Sequence, residues 1–349
     1  MTGLLVSAYA VMVMIFSVPL SLVTRRVSGK RMLLVAFLGY FICNLLSATA
    51  PNFTVILIAR CVGGIAHAIF FSACIGQAAR LAPPGRTARA FAMVAVGISA
   101  GYILGSPLTT ALGGVGGWRL PLFVLIGLSA AAGALIAWLL PVTGKIAPAE
   151  SAGRVAIGRS AGVITANGLT YLGQYVLYTY VTLLLLQAGL PQSLVAIALL
   201  VYGVAGLAAI AATASLLDGR PRATSVAVLL VVAVSMALVG ILSSSLVPLL
   251  VFGLLWGAAF GPVATVFQST SVRTGALGPE IAGAWINTTS NLGIAGGAIL
   301  GGIVLDQAGF APLALVAAIP VTIAAITMAF VVSRNQREAA LSRKTSSAQ

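Results

Sequence analysis

The sequence predicts an all-α polytopic membrane protein, and three observations carry that prediction. Of 349 residues, 60% are hydrophobic and 7% charged, and the mean hydropathy is +1.11; soluble domains run near 45–50% apolar and about 25% charged. Eleven apolar stretches each approach the ~20 residues that cross ~30 Å of hydrocarbon. Between them the basic residues cluster in alternate connections. So few charges cannot cover a water-facing core, which excludes a soluble enzyme and a disordered chain.

The first five stretches lie near 3–23, 32–50, 53–79, 88–113 and 118–141. A more polar joint follows from Val142 to Ser160. Six more stretches lie near 161–187, 193–217, 223–243, 246–270, 281–305 and 311–333. The expected organisation is an N-terminal bundle over 1–141, an inter-bundle loop over 142–160, a C-terminal bundle over 161–333 and a tail over 334–349.

Orientation follows from charge. The net charge is +14, from 19 Lys+Arg against 5 Asp+Glu. All the Lys and Arg except Arg60 and Arg119 fall in alternate connections or the tail: Arg25, Arg26, Lys30 and Arg31; Arg80, Arg86 and Arg89; Lys145, Arg154 and Arg159; Arg220 and Arg222; Arg273; then Arg334, Arg337, Arg343 and Lys344. The positive-inside rule makes that side cytoplasmic. The charge excess is thus a topology signal, and no nucleic-acid partner is expected. With the tail inside and an odd span count, Met1 is expected outside, and a missing leading segment is expected because the chain opens within a membrane helix.

Chemistry-bearing residues inside the spans are few. Ionisable groups in a bilayer are costly and face a bundle interior, a partner or a water-filled cavity. Arg60 and His67 lie seven residues apart on one face of the third span, with Gly63 and Gly64 between them. Either they line a substrate or proton pathway, or Arg60 braces backbone carbonyls and His67 packs as a hydrogen-bonded core residue. In the sixth span Asn167, Tyr171, Gln174 and Tyr178 follow one helical stripe, the polar aromatic wall that amphipathic solutes require. Tyr180 is read as an interfacial anchor. Trp256 and Phe260 in the ninth span suit apolar solute contact or plain packing. Asn287 and Asn291 share a face of the tenth span, as cavity lining or as interhelical hydrogen bonding.

Glycine forms two four-residue stripes: Gly97, Gly101 and Gly105, followed by Ser106-Pro107, and Gly293, Gly297 and Gly301. Small residues at that spacing let helix backbones approach closely, and Pro107 permits a kink. The stripes read as a flexing helix pair or as static packing. Cys43, Cys61 and Cys74 lack the spacing of a metal site or disulfide framework. Neither a metal nor a cofactor is expected, and with one histidine and no catalytic constellation the chain is not read as an enzyme.

These fragments together resemble the major facilitator superfamily, in its drug/proton antiporter branch, close to the arabinose-efflux-permease-like transporters. Thr2-Gly3-Leu4-Leu5-Val6-Ser7-Ala8-Tyr9-Ala10 looks like the start of that family's second helix. Thr24-Arg25-Arg26-Val27-Ser28-Gly29-Lys30-Arg31 resembles its basic loop, and Asp218-Gly219-Arg220-Pro221-Arg222 the repeated copy. Ala50-Pro51-Asn52-Phe53 with Ala59-Arg60 and His67-Ala68 is similar to the fourth helix. Gly101 through Gly105-Ser106-Pro107 is similar to the fifth-helix antiporter motif, and Asn291-Leu292-Gly293 with Gly297 and Gly301 to the eleventh helix.

The resemblance implies a major-facilitator-type two-bundle fold, here with 11 predicted transmembrane helices, five before the joint and six after it. It implies a proton-coupled exporter of drug-like compounds or sugars, working by alternating access. The implied partners are a small-molecule substrate, protons and the lipid bilayer of the inner membrane, with the chain monomeric. Two departures stand out. The family's first helix, which often carries an embedded acid, is absent, leaving His67 as the embedded group titrating near neutrality. The first basic loop has Thr24 or Arg25 where the family has an acid, and only the second keeps its carboxylate, Asp218. The alternative expectation is a truncated, non-transporting membrane protein or scaffold.

Overall fold

A computed structural model describes residues 2–24, 27–142 and 154–346. Arg25, Arg26 and Lys145 lie outside them, as do the side chains of Pro107, Arg154 and Arg159. Among the described residues the chain forms thirteen helices: α1 (Thr2–Thr24), α2 (Gly29–Thr49), α3 (Phe53–Leu81), α4 (Thr87–Gly116), α5 (Leu120–Leu139), α6 (Arg154–Tyr178), α7 (Val181–Gln187), α8 (Gln192–Gly219), α9 (Pro221–Ile241), α10 (Leu246–Phe260), α11 (Val263–Arg273), α12 (Pro279–Ala308) and α13 (Phe310–Ser346).

Every span expected from sequence coincides with helix. Among the described residues, nine helical stretches are long and apolar enough to cross a membrane, and shorter apolar runs, Val11–Leu22 and Thr87–Gly101, lie in α1 and α4. The helices begin where local chemistry satisfies their free N–H groups. Asn52 Oδ1 accepts from Val55 N at 3.1 Å to cap α3, and Pro121, Pro221 and Pro279 open α5, α9 and α12, positions where a missing N–H costs nothing. Gly117 and Gly309, at φ 70° and 81°, end α4 and α12 in the left-handed region.

Two expected spans are interrupted. The stretch 246–270 breaks at Gly261-Pro262, because proline has no N–H to continue the ladder. The helix restarts with Val266 N donating to the Pro262 carbonyl at 2.9 Å. The stretch 161–187 breaks at Thr179-Tyr180, where Tyr180 N turns back to the Leu177 carbonyl at 3.1 Å. Tyr180 is thus more than an interfacial anchor: its hydroxyl donates to the Ala298 carbonyl of α12 at 2.9 Å.

Large apolar side chains fill the core among α6, α9, α10, α11, α12 and α13, with Leu177, Leu229, Met236, Leu249, Phe267, Ile286 and Leu313 fully buried. Before the joint, Met32 and Leu33 of α2 pack with Ala73 of α3, and small groups let helices close in, such as Gly39 on Ala66 of α3. Outward faces are apolar: Leu128 and Trp138 on α5, Val234 on α9, Ile319 and Phe330 on α13 are exposed. An apolar exterior over a packed interior suits lipid as the solvent. Helices from either side of the joint meet as α1 and α3 against α12, and as α4 against α8, where Ala92 and Ala95 pack on Ile210 and Ala214.

Candidate functional site

The α6 stripe and α10 form one cluster. Gln174 is 5% exposed and its Oε1 accepts a hydrogen bond from Trp256 Nε1 at 2.7 Å. Tyr171 meets Phe260 edge-on with centroids 5.5 Å apart, and Tyr178 meets both Tyr175 (5.8 Å) and Trp256 (6.2 Å) edge-on. These are favourable quadrupole geometries. Tyr178 is 47% exposed while Trp256 is 2% exposed, so the cluster runs from an exposed tip to a buried base. Such an arrangement offers aromatic faces and hydroxyls to a flat amphipathic molecule. Asn167, on the same stripe, does not join it. Its Nδ2 donates to the Ile286 carbonyl (3.0 Å), Thr289 Oγ1 (2.9 Å) and Ser290 Oγ (2.9 Å), fixing α6 to α12.

Arg60 and His67 share a face of α3, and that face looks onto α1 and α2. A Cβ at Gly63 would press on Cys43 Sγ of α2 at 2.7 Å, and one at Gly64 on Met12 Cβ of α1 at 2.7 Å. The glycines between the two polar residues therefore let the neighbouring helices in. His67 Nδ1 lies 3.0 Å from the Tyr40 hydroxyl, and its ring packs beside Tyr9 (5.8 Å) and Phe71 (6.2 Å). Arg60 is half-buried, and no hydrogen bond or ion pair of its side chain falls among the described residues. No bracing of carbonyls by Arg60 is present there.

Asn287 Nδ2 donates to Ser17 Oγ of α1 at 3.1 Å, a buried bond across the two halves of the chain. Asn291 Nδ2 donates back to the Asn287 carbonyl (2.8 Å) and Oδ1 (3.2 Å). The two asparagines thus act as one unit. The glycine stripes differ. A Cβ at Gly297 would stand 3.0 Å from Tyr175 Cβ and Val176 N, and Gly293 and Gly301 press equally close on α6. At Gly101 and Gly105 a Cβ would meet no described atom within 4 Å. Identical spacing gives close packing only where a second helix lies alongside. α4 runs unbroken as helix through Pro107.

The basic connections hold helix ends. Asp218 accepts from Ala88 N (3.0 Å), Arg89 N (3.3 Å) and Arg273 Nη2 (2.8 Å), and Arg80 pairs with Glu280. Lys30 Nζ donates to the Ala137 carbonyl at 2.7 Å, closing the end of α5. Arg31 and Arg222 are exposed, as is Arg220 at the cap between α8 and α9. Arg119, off the basic side, caps α2 by donating to the Ala48 and Ala50 carbonyls at 3.0 and 3.4 Å. Sequence reasoning missed Tyr40, Tyr9 and Glu280. Tyr40 and Glu280 gain their roles from partners on another helix, His67 and Arg80, which no local pattern contains.

Residues 1–278 match the family described as Major Facilitator Superfamily. A probable sugar efflux transporter of Mannheimia succiniciproducens is 32% identical over 332 residues, spanning 91% of this chain and 81% of that protein. A chloramphenicol efflux pump of Mycobacterium tuberculosis is 30% identical over 329 residues, spanning 88% of this chain and 78% of its own. The crystal structure of the E. coli fucose:proton symporter FucP superposes with a TM-score of 0.76 at 16% identity, over 94% of this chain and 90% of that one. With the helix arrangement above, this multi-pass membrane chain belongs to the major facilitator superfamily.

Proposed function

We propose that the chain is an inner-membrane, proton-coupled exporter of small amphipathic solutes, sugars or drug-like compounds, working by alternating access. The observation that carries this reading is near-full-length similarity at 30–32% identity to relatives whose names denote sugar and chloramphenicol efflux. The Tyr171–Gln174–Tyr178–Trp256–Phe260 cluster supports it. Aromatic faces suit both the C–H faces of sugars and flat aromatic drugs, and Gln174 and Tyr178 supply hydrogen bonds.

In this reading residues 1–141 and 161–333 form the two rocking halves, joined by 142–160, with the basic side and the 334–349 tail in the cytoplasm and the N-terminus outside. The basic-side ends are held by Asp218 on α4, while Val115 at the far end of α4 and Ile197 near the start of α8 are exposed. That pattern supports an outward-facing state, and the transporter is taken to act as a monomer. Substrate contact is assigned to Tyr171, Gln174 and Tyr178, with Asn291 as a further polar contact and Arg60 as an anion or hydroxyl contact. Proton carriage is assigned to His67, the one histidine of the chain, whose Nδ1 lies 3.0 Å from the Tyr40 hydroxyl.

The test is accumulation of chloramphenicol and of labelled sugars in cells lacking their own efflux pumps, with and without this protein. Expression is expected to lower accumulation of at least one, and a protonophore to abolish the difference. His67→Ala and Gln174→Ala are each expected to lose export at unchanged membrane abundance. Unchanged accumulation of every solute, with the protein inserted in the membrane, would reject the reading.

A further inference from the structure

Two ion pairs tie helix ends together on the basic side, and they occupy corresponding places in the two parts of the chain. In the first, Asp218 in the last turn of α8 sits on the opening turn of α4, accepting from Ala88 N and Arg89 N, and pairs with Arg273 at the end of α11. Its carboxylate meets both an arginine and the positive end of a helix macrodipole. In the second, Arg80 at the end of α3 pairs with Glu280 in the opening turn of α12. The parts match: α3 and α11 each bring a terminal arginine, and α4 and α12 each start beside a carboxylate. The Arg80–Glu280 pair joins α3 to α12 across the joint, and Asp218 crosses it through the backbone N–H groups of α4, its arginine partner lying on the same side as itself. Only the origin of the carboxylate differs, since Thr24–Arg31 holds no acidic residue.

We propose that Glu280 does the work of the acid missing from the first basic loop, so that the Arg80–Glu280 pair is the second of two charge latches holding the basic side closed. The proposal rests on the alternating-access reading. Three local features fit α3 to this glutamate. A Cβ on Gly76 would collide with the Glu280 carboxylate, so glycine leaves the space it enters. The Ser72 hydroxyl donates to the Glu280 carbonyl at 3.0 Å, docking the first turn of α12. One turn later Gly283 lies against Ile75, with 3.1 Å between a built Cβ and the Ile75 Cβ. Side-chain exposure is 12% for Glu280 and 10% for Asp218, so both carboxylates are shielded from the solvent screening that weakens surface pairs.

The test places spin labels on keto-bearing residues at Leu81 and Ala223, exposed positions near the basic-side ends of α3 and α9, with the full chain in proteoliposomes. Electron–electron resonance distances are expected to show one short population in the wild type. Glu280→Gln and Arg80→Gln are each expected to raise a longer-distance population about fivefold or more, as is Asp218→Asn. The exchange R80E/E280R is expected to return most molecules to the short distance. Arg80→Gln keeps the test sharp if α12 fails to dock with glutamine at 280. A wild-type distribution in both Glu280→Gln and Arg80→Gln, beside a shift in Asp218→Asn, overturns the latch. A distance that answers to no variant, to no transported solute and to no pH gradient overturns alternating access instead.

Discussion

Gln174 shows what one side chain decides here. Spacing on α6 placed it among polar aromatics, but its buried Oε1 is committed to Trp256 Nε1 at 2.7 Å. Removing one partner strands a buried polar atom at a cost of about 1–3 kcal/mol, whereas removing both with shape kept is nearly neutral. Gln174→Leu is therefore expected to lower the thermal unfolding midpoint, and Gln174→Leu with Trp256→Phe to recover most of it. Thermal unfolding in detergent reads this. Export regained with stability in the double variant would assign Gln174 to packing alone. Asn167 was legible as a polar residue on the stripe, but its three oxygen acceptors all lie on α12, more than a hundred residues away in sequence. No local pattern contains that information.

Between elements, the same glycine spacing has two outcomes. On α12 the stripe faces α6 so closely that a Cβ at Gly297 would press on the backbone of Val176. At Gly296 a Cβ would meet Leu172 Cδ1 at an ordinary 3.6 Å. Gly297→Leu is expected to destabilise by about 1–3 kcal/mol or more through overpacking, while Gly296→Ala is expected to be tolerated within about 0.5 kcal/mol. Folded yield by size-exclusion chromatography and thermal unfolding separate the two. Equal loss in both would mean the stripe is not a packing seam. Helix existence and order were readable from hydropathy, because lipid admits little else. The break at Gly261-Pro262 was readable in principle from proline; the break at Tyr180 was not, since it is tied to a carbonyl on α12.

Taken whole, the charge pattern makes a topological statement that accessibility measures directly. A cysteine at Val115, 88% exposed on the side without basic connections, is expected to react with an impermeant maleimide added to intact cells. A cysteine at Ala223, exposed on the basic side, is expected to react only after the membrane is opened. Reversed labelling would invert the orientation and with it the direction assigned to transport. The native Cys43 is buried and Cys61 and Cys74 half-buried, so the unlabelled wild type supplies the background.

Composition and hydropathy alone determined that this chain lives in a membrane as a series of helices, since 7% charged residues cannot solvate a fold of this length. Charge placement predicts which connections share a side, and the motif fragments pointed to the superfamily. Tertiary structure decided which polar residues meet. It gathered Tyr171, Gln174 and Tyr178 with Trp256 and Phe260, turned the Arg60–His67 face toward α1 and α2, and set Glu280 against Arg80 across two hundred residues. The physical reason is that hydropathy is a sum over local composition, whereas a hydrogen bond or ion pair between helices depends on rotation and depth, which only the packed partners fix.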